Sequence, residues 1–120
     1  MKALWLVSFR PIGKSKSNDF YQSIFIDSVK SINFDITFSL TQFEEENVEN
    51  FINKKNIKCF YENISKSHLP KYKKYSNKIM LDNALNQYLD NNNDFQYLIY
   101  STADIIVPNN LFNILNKIKK

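Results

Sequence analysis

Two short stretches of this chain, ALWLVSF at 3–9 and FQYLIYS at 95–101, are apolar almost from end to end. A continuous apolar run of this length, closed by turn-forming residues, suits a strand buried on both faces of a parallel sheet. Arg10-Pro11-Ile12-Gly13 ends the first run, and Asn91-Asn92-Asn93-Asp94 precedes the second. Parallel strands need long crossovers rather than tight turns, so the sequence between the two runs has to supply helices.

It does so by period. Residues 18–32 place Tyr21, Ile24, Phe25, Ser28 and Ile32 at helical spacing, with Ser17 expected as N-cap. FDITFSLT (34–41) alternates Phe34, Ile36, Phe38 and Leu40 with polar residues, the two-residue period of a strand. Thr41 and Glu44 read as a capping box opening a helix whose inner face is Val48, Phe51 and Ile52. IKCFYE (57–62) reads as a charged edge strand. An irregular basic segment (65–78) leads into a helix carrying Leu81, Ala84, Leu85, Tyr88 and Leu89. Strand 95–101 follows, and Pro108 is expected as the first residue of a last helix with Leu111, Phe112, Leu115 and Ile118 inward.

Strands alternating with helices predict an α/β fold: a three-layer α/β/α sandwich with a mainly parallel sheet of order 3-2-1-4, the two most apolar strands central and adjacent. In such sheets ligands bind beyond the carboxyl ends of the strands where the order reverses. That crevice falls between SFRPIG (8–13) and STADIIVP (101–108), and Asp104 lies on its edge. A lone Asp after a strand is also an ordinary turn former or helix cap. Its position favours a hard-cation site, because Mg²⁺ or Mn²⁺ needs few protein carboxylates when a bound diphosphate supplies the other oxygens.

Composition narrows the partners. At 120 residues the chain is one domain's worth, and ten Phe, seven Tyr and one Trp are ample for a core. A net charge of +4 allows attraction to anions without choosing one. The single cysteine, Cys59, excludes an internal disulfide and points to a reducing cytoplasm, free or peripheral to the inner face of a membrane. One glycine cannot build the phosphate loops of triphosphatases or dinucleotide enzymes. Strand one ends in Phe9-Arg10, not in the acidic cluster that a phosphorylated receiver domain requires. His68 stands in the basic segment with no acid or nucleophile beside it in sequence, and Cys59 reads as packing.

FQYLIYS followed by Thr102-Ala103-Asp104, a short apolar stretch and Pro108 resembles the metal-binding Asp-x-Asp region of GT-A-type glycosyltransferases, with Thr102 in place of the first acid. The resemblance implies the Rossmann-like, nucleotide-binding half of a GT-A fold spanning 1–120. It implies a glycosyltransferase of hexosyl type, or a fragment of one, that takes a nucleotide diphosphate sugar and passes the sugar to the hydroxyl of a glycan or lipid-linked acceptor. Asp104 would hold Mn²⁺ or Mg²⁺, with Thr102 assisting. Ser8, Phe9 and Arg10 would hold base and ribose, Arg10 and Lys78 would neutralise phosphate, and a polar residue such as Ser39 or Thr41 would contact the base. In that family the acceptor half follows the acidic motif, whereas this sequence runs one helix past it. The alternatives are an inactive remnant, self-association through the face where a second half would pack, and a nucleic-acid module built on HLPKYKKYSNK (68–78). That segment interleaves Lys71, Lys73, Lys74 and Lys78 with Tyr72 and Tyr75, the combination of phosphate contacts and stacking rings used on single strands.

Overall fold

The computed structural model describes residues 2–64, 86 and 95–118. The strands are β1 (Lys2–Ser8), β2 (Asp35–Phe43), β3 (Cys59–Ile64) and β4 (Tyr97–Thr102), and the helices α1 (Lys16–Lys30), α2 (Val48–Lys55) and α3 (Leu111–Ile118). The sheet is parallel throughout in the order β3-β2-β1-β4, as expected. The helix expected around 77–89 lies outside the described residues apart from Asn86, which is helical.

Several local expectations are corrected. The cap of α1 is Ser15, whose hydroxyl accepts from the Asn18 amide at 3.3 Å, and Ser17 falls inside the first turn. The buried face of α1 is Gln22, Phe25, Ile26 and Val29, a clean i, i+3, i+4, i+7 stripe that leaves Tyr21 53% exposed. A hydrophobic count misses this face because one of its four members is a glutamine.

Strand β2 runs two residues further than its alternation implied, so Thr41 is buried within the strand instead of capping a helix. The cap moves with it: Glu46 accepts from the Phe43 amide at 2.8 Å, at the end of a 3₁₀ turn (Glu44–Glu46) that precedes α2. Asn47 and Asn56, at φ 58° and 55°, flank α2 in the left-handed region that asparagine tolerates better than most residues. Pro108 does not open α3. It starts the turn before the helix, and its carbonyl accepts from the Leu111 amide at 3.2 Å.

The sheet is packed most heavily on one face. Trp5 sits at its centre, edge-on to Phe25 at 5.9 Å and to Phe38 at 6.2 Å, with its indole N–H donating to Ser101 Oγ at 2.8 Å. All three described helices contribute to this cluster through Phe25, Val48 and Phe112. On the opposite face Leu4 and Leu6 are equally buried and pack with Phe60 and Phe95. Among the described residues β4 is an edge strand of the sheet and not a central one, and its outward residues Leu98 and Tyr100 are exposed. Its inward residues Tyr97, Ile99 and Ser101 pair in register with Ala3, Trp5 and Val7.

Candidate functional site

The pairing of β1 with β4 ends at Ser8 opposite Thr102, so the two strands deliver their following loops side by side. Between them lies a cavity of about 240 Å³, at the carboxyl end of the sheet where the strand order reverses. Its β1 wall is Ser8, Phe9 and Arg10, and its β4 wall is Tyr100, Thr102, Ala103 and Asp104. Asn18 and Gln22 of α1 close the third side.

Each wall is held by identifiable bonds. On the β4 side Ala103 is buried, which turns its neighbour Asp104 out to solvent. The Thr102 hydroxyl donates to Asp104 Oδ1 at 2.6 Å. That bond orients the carboxylate and leaves Oδ2 open. Further along, the Val107 amide donates to Ser28 Oγ at 3.1 Å, fastening the loop after β4 to the last turn of α1.

On the β1 side two buried glutamines hold successive residues of the loop. Gln42 Oε1 accepts from the Phe9 amide at 2.9 Å while its Nε2 donates to the Phe9 carbonyl at 3.1 Å. Gln22 does the same for Arg10, at 2.6 Å and 3.3 Å. A side-chain amide carries an acceptor and a donor side by side and so pairs the N–H and C=O of one residue, which leaves no unpaired main-chain group at Phe9 or Arg10 beside the cavity. Gln42 Nε2 also reaches Glu46 Oε1 at 3.3 Å, and burial pushes the Glu46 carboxyl above its ordinary value despite the bonds from Phe43 and Gln42. The loop closes at Gly13, where φ is +87° and the amide donates to the Asp19 carboxylate at 3.1 Å and 3.2 Å.

The expected site residues fall into three groups. Ser8, Phe9, Arg10, Thr102 and Asp104 line this cavity together. Within that set, the Phe9 ring packs edge-on to Phe25 at 6.1 Å and to Phe51 at 6.0 Å, so it serves the core, while the Arg10 side chain is exposed. Ser39 is elsewhere: it is 0% exposed in the middle of β2, opposite Leu6. Lys78, His68 and the rest of the basic Tyr/Lys segment lie outside the described residues. Asn18, Gln22 and Tyr100 were not anticipated, and neither was the supporting Gln42.

For a divalent cation the described lining of this cavity offers one carboxylate, Asp104, and the described residues hold no group of three or more His, Cys, Asp or Glu placed to bind a metal. That donor set is too small to hold Mg²⁺ or Mn²⁺ by itself and is adequate when a diphosphate supplies further oxygens. Burial pushes the Cys59 thiol up to about 12, so it stays protonated and is no nucleophile at neutral pH. No described helix is long and apolar enough to cross a membrane. Compared with known protein families, curated proteins and solved structures, the chain matches none.

Proposed function

We propose that this domain binds a nucleotide diphosphate sugar at the carboxyl edge of β1 and β4 and serves as the donor-binding part of a glycosyltransferase. The observation that carries the reading is the convergence of Ser8, Arg10, Thr102 and Asp104 on one cavity at the strand-order reversal. An exposed guanidinium on one wall and an exposed carboxylate on the other suit a ligand that is anionic at one point and metal-bridged at another.

Each residue then has a role. Arg10 pairs with diphosphate oxygens, and the glutamine clamps on Phe9 and Arg10 keep its main chain in place while it does so. Ser8 and Asn18 offer neutral polar contacts to ribose or base, and Tyr100 offers an exposed ring for a base to stack on. Asp104 would hold Mg²⁺ or Mn²⁺ jointly with the diphosphate, with Thr102 fixing the carboxylate. When bound there, the cation would offset the charge of a diphosphate leaving group. No described residue is assigned as general base.

Isothermal titration with UDP and GDP, with and without Mn²⁺, tests this. Nucleotide should bind only with metal, metal should not bind without nucleotide, and Asp104→Ala should weaken binding by roughly tenfold or more. Failure of both nucleotides to bind, or binding indifferent to Asp104→Ala, would sink the donor-site reading.

A further inference from the structure

A second cavity, of about 270 Å³, lies at the opposite end of the sheet. It is bordered by Phe34 just before β2, by Gln96 and Tyr97 at the start of β4, and by α3. With β4 rising about 3.3 Å per residue, its Tyr97 and Thr102 ends stand roughly 16 Å apart, too far for one small ring to occupy both cavities.

The chemistry of this cavity is narrow. Five of its lining side chains are carboxamides: Asn33, Gln96, Asn109, Asn113 and Asn116. None of its described lining residues is charged, so among them a phosphate or carboxylate would find no counter-charge. A carboxamide presents two N–H donors and an oxygen with two acceptor lone pairs, whereas a hydroxyl presents one donor and two acceptor lone pairs, so the extra donors of one group meet the extra acceptor capacity of the other. A ring of carboxamides therefore complements a ring of hydroxyls. One acceptor already lacks a donor: Gln96 Oε1 is buried with no hydrogen-bond partner among the described residues, although its backbone amide is held by the Lys2 carbonyl at 2.7 Å. Buried polar atoms are nearly always paired, so this oxygen calls for a donor from a ligand or a water.

The rest of the described lining is Ile32 and the rings of Phe34, Tyr97 and Phe112. Phe34 and Phe112 stack at 3.9 Å with their planes 9° apart, and Tyr97 leans on Phe112 at 5.4 Å. Such a wall suits the C–H face of a pyranose. The volume lies just under the roughly 300–1,000 Å³ of pockets for drug-sized ligands, which fits a single ring.

We propose that this pocket binds one neutral monosaccharide unit, free or at the end of a glycan, independently of the Asp104 cavity. The claim does not rest on the donor-site reading, since it uses none of its residues. The test is a ligand-observed NMR titration of the intact chain with glucose, galactose, mannose and N-acetylglucosamine. At least one should bind in the millimolar range, persist in saturating UDP and Mg²⁺, and be weakened about tenfold by Asn113→Ala and by Asn116→Ala. Both asparagines are exposed on α3, so their truncation leaves the core intact. Gln96→Leu should abolish binding by removing the buried acceptor. Absence of binding by all four sugars, displacement by UDP, or unchanged binding in the asparagine variants would overturn the proposal, as would sugar-soaked crystals with only a water on Gln96 Oε1.

Discussion

Gln42 is invisible to a hydrophobic pattern, yet it fixes the wall on which the proposed site depends. It is fully buried, and it is bonded to both main-chain groups of Phe9 and to Glu46. Replacing it with leucine keeps most of the volume but strands a buried N–H and a buried carbonyl, at a cost of about 1–3 kcal/mol for each group left unpaired. Gln42→Leu should therefore lower the stability read by urea denaturation by about 2–6 kcal/mol. Gln42→Glu would separate packing from bonding, since it keeps the acceptor for the Phe9 amide and loses the donor to the Phe9 carbonyl. The same reasoning shows why Gln22 displaces Tyr21 from the inner face of α1. The helix turns toward the sheet the side chain that the loop after β1 needs, and its neighbour Tyr21 is left in solvent.

Strands and helices are coupled here by single polar bonds as well as by apolar packing. Ser28 is the clearest case: its hydroxyl donates to the Phe25 carbonyl at 2.7 Å within α1 and accepts from the Val107 amide at 3.1 Å in the loop after β4. Removing that hydroxyl leaves the amide of a buried residue unpaired. Ser28→Ala should cost about 1–2 kcal/mol and should speed hydrogen exchange at Val107 far more than at the centre of β1. Unchanged exchange at Val107 would mean that the loop carrying Asp104 is held by Ala103 and Val107 packing alone. Element boundaries were the part of the fold that the sequence resolved least. Alternation placed β2 correctly but stopped it at Thr41, because Gln42 interrupts the apolar pattern while remaining inside the strand. Pro108 was given to a helix on its preference for a first turn, whereas Pro108-Asn109-Asn110 spends that preference on the turn before α3.

At the scale of the molecule, the parallel sheet and its 3-2-1-4 order were legible because two unbroken apolar runs and the intervening helical periods admit few right-handed arrangements. The location of the Asp104 cavity follows from the same topology, since the strand order reverses between β1 and β4 and Ser8 pairs there with Thr102. What sequence could not supply was the polar support. Gln22 and Gln42 reach the loop after β1 across 12 and 33 positions, Asn18 joins them as a lining residue, and no periodicity records such contacts. Ser39 shows the opposite failure: a polar residue on a strand was read as facing a ligand when it is buried between Leu6 and Phe60 in the sheet register. The central claim is that this edge of the sheet is where an anionic nucleotide sits. An amide-resolved NMR titration of the isotope-labelled chain with UDP and Mg²⁺ tests it most directly. Shifts should concentrate at Ser8–Arg10, Asn18 and Thr102–Asp104, with the amides of β3 unmoved; shifts confined to other surfaces, or none at saturating nucleotide, would contradict a nucleotide site at this edge.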